Sequence, residues 1–226
     1  MKEFILKDRF HESQIDNFNP DGSSNMSWSK TWGRFNQCFI SSSTMSLKQC
    51  FTRIRDKGLV EEKGTKGIFV DEIAYMAILL ARVNKDGDAW KNNDGRYWWK
   101  NHCDLLNQLT DDFFKSELPG EWVWHKQSLD KIIEVLKSNY QPIVGIYIGD
   151  YYRGGEGHVT TVVGWRETDN GEFLGLIFND PAGNLIKKGS YKNAGNLDGK
   201  EVFYPKEVLN KILGKGQIMY FREKSK

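Results

Sequence analysis

The stretch that decides the fold runs from residue 157 to residue 183, and its sequence is GHVTTVVGWRETDNGEFLGLIFNDPAG. His158 to Trp165 and Phe173 to Phe178 are rich in β-branched and aromatic residues, which predicts two strands. Asp169-Asn170-Gly171 lies between them and predicts a tight hairpin turn. We therefore expect an antiparallel pair in which the start of the first strand lies beside the end of the second.

The remaining elements are predicted from similar patterns. Two more apolar runs, Ile143 to Ile148 and Gln217 to Arg222, predict strands. Before Pro142 the apolar residues instead recur at helical spacing. The predicted helices run from Cys38 to about Gly58, from Asp71 to Val83, from Asn101 to Lys115 and from Ser128 to Ser138. Helices first and strands second predict the α+β class, with an N-terminal helical lobe packed on an antiparallel β-sheet lobe.

Residues 1–30 show no sustained periodicity and include the turn-rich stretch Asn17 to Asn25. We expect these residues to form an N-terminal arm or leader segment. Residues 31–226 are then expected to form one domain, a length that suits a single hydrophobic core.

The charge balance excludes some classes of partner. The 226 residues include 32 Lys and Arg and 30 Asp and Glu, a net charge of +2, which gives no reason to expect nucleic acid as a partner. No run of about eighteen apolar residues is present, so membrane insertion is not expected. The first residues do not resemble a secretory signal, which predicts a protein that is cytoplasmic as made. Later release or export, and the oligomeric state, are left open.

The chain has three cysteines, Cys38, Cys50 and Cys103. An odd number at wide spacing argues against a disulfide framework. Cys50 lies within a predicted helix near its apolar face, so we assign it a structural role. His102, Cys103 and His125 lack the spacing of a metal site, so no metal is expected.

Cys38 lies where a loop enters the first predicted helix. The N–H groups and partial positive charge at a helix N-terminus favour thiolate over thiol, which makes a cysteine nucleophilic. The same N–H groups can hold an oxyanion. A buried structural cysteine is the ordinary explanation when such a residue is considered alone.

His158 and Asp180 give Cys38 its chemical context. The neutral imidazole of His158 can take a thiol proton, and the carboxylate of Asp180 can accept the other ring N–H and orient it. Considered singly, each has an ordinary explanation: a satisfied histidine and turn chemistry. The predicted hairpin places the two side by side, and this favours a Cys-His-Asp triad.

These segments together resemble the C39-like branch of the papain-like (clan CA) cysteine peptidases. The resemblance is carried by a cysteine at the head of a helix, a strand from Gly157-His158 to Gly164-Trp165, and Asn179-Asp180-Pro181. It covers roughly residues 31–50 and 140–185. It implies the papain-like fold, with Cys38 as nucleophile, His158 as base, Asp180 as orienting residue and no cofactor.

One position departs from the family pattern. Papain-like enzymes usually carry an oxyanion-hole glutamine about six residues before the cysteine, and this chain has Trp32 there. Gln37, Asn36 or the backbone N–H of Cys38 are the remaining candidate donors. Loss of one such donor costs roughly 10²–10³-fold in rate in comparable sites.

The resemblance implies a thiol protease that hydrolyses peptide bonds through an acyl-enzyme. We expect a stand-alone peptidase acting on peptides, including the peptides of peptidoglycan, as phage or bacterial lysins do. One alternative is a papain-like acyltransferase or toxin effector, which passes the acyl group to an amine. Another is a non-catalytic module on the same fold that binds a peptide or glycan, because five of the eight tryptophans fall between Trp90 and Trp124.

Overall fold

An antiparallel sheet organises the part of the chain that the computed structural model describes, which is residues 1–13, 38–56, 95–114, 120–151, 157–187 and 198–224. The seven strands of this part are β1 (Lys2–Ile5), β2 (Gly120–Lys126), β3 (Ile143–Tyr147), β4 (Gly157–Glu167), β5 (Phe173–Asn179), β6 (Val202–Pro205) and β7 (Gln217–Glu223). Its helices are α1 (Cys38–Asp56), α2 (Gly95–Phe114), α3 (Leu129–Lys137) and α4 (Lys206–Ile212). The predicted combination of helices and an antiparallel sheet is confirmed.

The strand order is β2-β7-β3-β4-β5-β6, and all the pairs are antiparallel. On one side, β4 pairs first with β3 and then with β1, while β5 lies along its other side. The β4–β5 hairpin turns at Asp169-Asn170-Gly171, where Gly171 has a φ of +82° that residues with a side chain rarely adopt. The predicted hairpin is therefore confirmed, and it brings the start of β4 near the end of β5.

Helix α1 is enclosed on nearly all sides. Every side chain from Phe39 to Leu47 is buried, although four consecutive residues in this run, Ser41 to Thr44, carry hydroxyl groups. Small side chains let the helix approach the sheet closely, and the hydroxyl of Ser42 donates to the carbonyl oxygen of Val159 in β4 at 3.1 Å. The start of α1 is thus held against the start of β4.

Gln141, which is 2 % exposed, ties three parts of the fold together. Its side-chain amide accepts from the N–H of Phe10 at 3.2 Å, and donates to the carbonyl of Phe10 at 3.1 Å and to Thr161 Oγ1 at 2.8 Å. Its backbone N–H donates to Gln49 Oε1 at 3.2 Å, and its carbonyl accepts from Ser46 Oγ at 2.8 Å. The N-terminal segment, α1 and β4 therefore meet at one buried amide.

Helix α2 covers the edge strand β2. The side chain of Asn107 donates to the carbonyl of Trp122 at 2.9 Å and accepts from its N–H at 2.6 Å. Both backbone groups of Trp122 that face away from β7 are thereby satisfied, and the strand edge is blunted at this point.

Residues 1–13 form part of the sheet and its hydrogen-bond network, although the sequence placed them in a separate arm. Leu6 is 1 % exposed, and its N–H donates to the carbonyl of Val163 at 2.8 Å. Arg9 bonds Glu201 at 2.8 Å, and the carbonyl of Phe10 accepts from Asn179 Nδ2 at 2.6 Å. These partners are far away in the sequence, so no local pattern within residues 1–13 predicted β1. Residues 14–37 lie outside the described residues, so a domain boundary at residue 31 stays a prediction.

The other sequence predictions can be compared with the observed bounds. The first helix is confirmed and ends at Asp56, the third begins at Gly95 rather than Asn101, and the fourth has Ser128 as its N-cap. The four predicted strands agree with β3, β4, β5 and β7 within two residues at each end. The helix predicted over Asp71 to Val83 lies outside the described residues. The sequence missed β1, β2, β6 and α4.

Among the helices that the structure describes, none combines the length and the apolar character needed to cross a bilayer.

Replacing Gln141 by alanine is expected to destabilise the fold by about 2–4 kcal/mol, because it removes three side-chain hydrogen bonds and leaves the backbone N–H of Phe10 without its acceptor. Urea unfolding followed by circular dichroism measures the change. The exposed Lys126→Ala variant is the control and should stay within about 0.5 kcal/mol of the wild type. Equal unfolding midpoints for Gln141→Ala and the wild type would show that Gln141 does not tie these elements together.

Candidate active site

Cys38 and His158 line one cleft with a volume of about 320 Å³. Cys38 is the first residue of α1 and is partly exposed, whereas His158 is the second residue of β4 and is 3 % exposed. The side chain of Cys38 interacts with His158 closely enough to raise the pKa of the imidazole. The packing of α1 on β4 through Ser42 therefore places a thiol next to an imidazole.

The second ring contact of His158 is with Asp180, which directly follows β5. His158 Nε2 lies 2.8 Å from Asp180 Oδ1, and both side chains are buried. The predicted proximity of these two residues across the hairpin is confirmed. Because Nε2 is engaged by the carboxylate, Nδ1 is the ring nitrogen that remains for the Cys38 thiol.

Asp180 is held by several donors and is 0 % exposed. Its Oδ1 also accepts from the N–H of Ala182 at 2.9 Å, and its Oδ2 accepts from the hydroxyl of Tyr204 at 3.1 Å. Its backbone N–H donates to the carbonyl of Gly199 at 2.8 Å. A buried carboxylate is costly unless it is hydrogen-bonded, and these contacts supply the required donors.

The electrostatics of His158 favour the imidazolium form. Burial by itself lowers the pKa of His158, but the negative charge of Asp180, the hydrogen bond to it and the contact with Cys38 together outweigh burial and raise the pKa from 6.5 to about 10. A protonated His158 places a positive charge beside Cys38, and such a charge favours the thiolate.

The wall and floor of the cleft come from α2 and from two strands. Trp99 stands edge-on to Phe39, with their ring centroids 5.1 Å apart. A Cβ atom on Gly145 would lie 2.9 Å from the Trp99 ring, and one on Gly216 would lie 2.1 Å from the carbonyl oxygen of Gly145. Gln127 Nε2 donates to the same carbonyl at 2.7 Å. The part of the cleft that Gly145 and Gly216 line is therefore formed by backbone atoms, which pack against the indole ring of Trp99.

A positive charge lies at another part of the cleft. The ammonium group of Lys215 is 4.6 Å from the centre of the Tyr147 ring, and both residues line the cleft. The cation is exposed, so it is available to a ligand that carries an anionic group.

The other candidate residues lie apart from this cleft. Burial lowers the pKa of His102 to about 3, so its ring is neutral beside Phe39. Burial raises the pKa of Cys103 to about 12 and also raises that of Cys50, so both remain thiols. Among the described residues, no three His, Cys, Asp or Glu side chains are grouped so as to hold a metal ion.

The structure thus brings together Cys38, His158 and Asp180, the three residues that the sequence proposed for catalysis. Gln37 and Asn36, the candidate oxyanion donors, lie outside the described residues, as does Trp32. The sequence missed the contact of Tyr204 with Asp180 and the positions of Trp99 and Lys215 in the cleft. The Trp-rich segment was a signal for Trp99, whereas Tyr204 and Lys215 had no local signal.

Comparison with known proteins gives a distant likeness. No protein-family model and no curated protein matches this sequence. Among solved structures, the chain is similar to a crystal structure from Bacillus anthracis described as a "putative C39-like peptidase". The TM-score is 0.47 and the sequence identity 16 %, over 100 % of both chains. A likeness this distant carries no argument about the site, so the chemistry depends on the geometry alone.

The charge of His158 can be measured by nitrogen NMR of its imidazole in a Cys38→Ala variant, where the thiol no longer titrates. We expect His158 to stay protonated above its ordinary pKa of 6.5, because Asp180 stabilises the cation. Adding Asp180→Asn removes that charge, so burial should then lower the pKa below 6.5. His102 is the control in the same spectrum and should stay neutral in both variants.

The same shift has a consequence for stability. Because the folded pKa of His158 lies above the unfolded one, its contribution is fully present below pH 6.5 and is lost as the pH rises towards about 10. Unfolding free energies of Cys38→Ala and Cys38→Ala/His158→Gln should therefore converge as the pH rises above 6.5, and should do so below about pH 10, because the part of the raised pKa that comes from Cys38 is absent. A difference that grows with pH would contradict the raised pKa.

Proposed function

We propose that this chain is a cysteine peptidase with a papain-like fold, in which Cys38, His158 and Asp180 form the catalytic triad. The observation that supports it is the placement of the three side chains: Cys38 and His158 line one cleft and interact, and His158 Nε2 forms a hydrogen bond with the buried Asp180 at 2.8 Å. The thiol opens onto that cleft. Nucleophile, base and orienting group in this order are the arrangement that covalent catalysis needs.

In the proposed reaction, the Cys38 thiolate attacks the carbonyl carbon of an amide, and an electron pair of the carbonyl bond moves to oxygen. The tetrahedral intermediate collapses, the C–N bond breaks, and the His158 imidazolium gives its proton to the leaving amine. A water molecule then attacks the thioester while His158 accepts its proton. The C–S bond breaks and the carboxylic acid leaves, and the Cys38 thiolate and the His158 imidazolium, which holds the proton taken from water, form the starting pair again.

Asp180 orients the ring in this proposal. Its bond to His158 Nε2 directs Nδ1 towards the thiol and stabilises the imidazolium that carries the proton. The carboxylate oxygens accept hydrogen bonds from His158, Ala182 and Tyr204, and in this proposal they take up no proton during the reaction.

The oxyanion donor proposed first is the backbone N–H of Cys38. The first N–H groups of a helix are not used by its own hydrogen bonds, and Cys38 is the first residue of α1. Side chains of Gln37 or Asn36 remain proposed as a second donor. With Trp32 at the usual glutamine position, the backbone donor carries more of the charge in this proposal.

The proposed substrate is a peptide, and the peptides of peptidoglycan are the class that the family resemblance implies. The cleft supports a peptidic substrate through the apolar surfaces of Trp99 and Tyr147, against which side chains can pack. The exposed charge of Lys215 suits a carboxylate near the scissile bond, and peptidoglycan peptides carry such groups.

Alkylation by iodoacetamide tests whether Cys38 is an activated nucleophile. We expect Cys38 to react well below pH 8, and about tenfold or more slowly at pH 6 in His158→Ala, because the imidazolium favours the thiolate. Mass spectrometry of the digested protein measures the rate at each thiol. Cys50 and Cys103 are internal controls, since burial raises their pKa values. Labelling of Cys38 no faster than a free thiol would favour the binding module over the peptidase.

Measuring turnover tests the proposed triad directly. The two substrates are a defined peptide library and purified peptidoglycan sacculi, and the products are detected by liquid chromatography with mass spectrometry. Cys38→Ala should lower kcat by roughly 10⁶-fold and Asp180→Asn by roughly 10⁴-fold, as in other triads. Cys50→Ala, which removes another thiol from α1, should keep wild-type activity.

The products separate the remaining alternatives. Hydrolysis gives free acids even when glycinamide is added, whereas an acyltransferase gives amides of glycinamide. Cleavage of the library without cleavage of sacculi would exclude peptidoglycan while leaving the peptidase. Wild-type activity in Cys38→Ala would overturn the proposed triad.

A further inference from the structure

Tyr204 lies behind the triad, on β6, where it pairs with Leu176 of β5. Its side chain is 0 % exposed, and its ring packs on Phe178 with the centroids 4.9 Å apart. Its hydroxyl oxygen is 3.1 Å from Asp180 Oδ2 and 3.0 Å from the backbone nitrogen of Leu185. The hydroxyl therefore sits between a carboxylate and an amide.

These two neighbours fix the direction of both hydrogen bonds. The N–H of Leu185 can only donate, so the hydroxyl oxygen accepts from it. The hydroxyl proton is then directed at Asp180 Oδ2, which can only accept when ionised. Burial raises the pKa of Tyr204, as does the charge of Asp180, so the hydroxyl keeps its proton at every pH of interest.

The hydrogen bond from Tyr204 fixes Oδ2 of Asp180, the oxygen that His158 does not contact. Oδ1 accepts from His158 and from the N–H of Ala182, while Oδ2 accepts from Tyr204. With both oxygens engaged, the carboxylate cannot rotate about its Cβ–Cγ bond without breaking a hydrogen bond. The backbones of Asp180 and Gly199 also lie close together. A Cβ atom on Gly199 would be 1.8 Å from the carbonyl oxygen of Asp180, so only a glycine fits there without a shift.

We propose that Tyr204 is a positioning residue of the catalytic site, which acts through Asp180 to hold the His158 ring against Cys38. This inference depends on the proposed function. The hydroxyl touches neither substrate nor thiol in this role. It holds the carboxylate in the orientation that directs Oδ1 at Nε2, and so holds the imidazolium in place beside the nucleophile.

Tyr204→Phe tests the role, because it removes the hydroxyl and keeps the ring that packs on Phe178. Without that donor the carboxylate is held only through Oδ1, so its orientation is less well fixed and the imidazolium is less stabilised. We expect iodoacetamide labelling of Cys38 at pH 6 to fall about tenfold, as for loss of one hydrogen bond to a charged group. Near pH 9, where an ordinary thiol ionises, the rate should approach that of the wild type.

Tyr140→Phe is the matched control. Tyr140 is also buried, and its hydroxyl donates to a carboxylate oxygen of Glu223 at 2.6 Å, away from the cleft. This variant also removes a buried tyrosine hydroxyl that donates to a carboxylate, although Glu223 is exposed, so it controls for the loss of such a hydroxyl away from the cleft. Its labelling profile for Cys38 should match the wild type across the whole pH range.

The outcomes distinguish the two proposals. An ordinary labelling rate of Cys38 in the wild type overturns the proposed function. Fast labelling in the wild type with an unchanged pH profile in Tyr204→Phe, or an equal change in Tyr140→Phe, overturns only the role of Tyr204. If Tyr204→Phe does not fold, NMR of the wild type decides. A slowly exchanging hydroxyl proton with a cross-peak to the Leu185 amide supports the role, and its absence between pH 6 and 9 overturns it.

Discussion

The hydrogen bond between His158 Nε2 and Asp180 Oδ1 joins two groups that are charged and almost completely withdrawn from water. Such a pair is tolerated only if its remaining polar atoms are satisfied, because an unpaired buried charge costs several kcal/mol. The donors that satisfy Asp180 come from three separate places: β4, the turn after β5, and β6. The arrangement of the sheet is thus also the arrangement of the site, since no single element supplies enough partners.

The thiol depends on a different constraint, the closeness of α1 to the sheet. The helix carries Ser41 to Thr44 where larger apolar residues would ordinarily fill a core. Small side chains bury less apolar surface than large ones. They also let the helix backbone approach β4 closely enough for the hydroxyl of Ser42 to donate a hydrogen bond to the carbonyl of Val159. A bulky residue there would push the helix outward, and with it the half-buried Cys38. The chemistry of the cleft and the composition of the helix are therefore linked.

The sequence predicted the parts of the site whose signals are local. The hairpin turn at Asn170-Gly171, the β-branched strands beside it and the helix that begins at Cys38 were sufficient to select Cys38, His158 and Asp180 as one group of candidates. Tyr204 was not predicted because Val202 to Pro205 is a four-residue strand with no periodicity, and its partner Asp180 lies 24 residues earlier in the sequence, after the neighbouring strand β5. Strand β1 was missed for the same reason: its pairing is with residues near 165, and nothing within residues 1–13 indicates them.

That pairing of β1 also sets an order of events during synthesis. Lys2 pairs with Glu167 and Ile5 with Gly164, so β1 cannot form its pairing with β4 until residue 167 has been synthesised. At ordinary rates of translation this wait is on the order of ten seconds. Contacts so distant in sequence also make folding slow, since a long loop must close first. A nascent chain therefore carries Cys38 well before it carries His158 and Asp180, and under the proposed function the thiol becomes reactive only when the sheet closes.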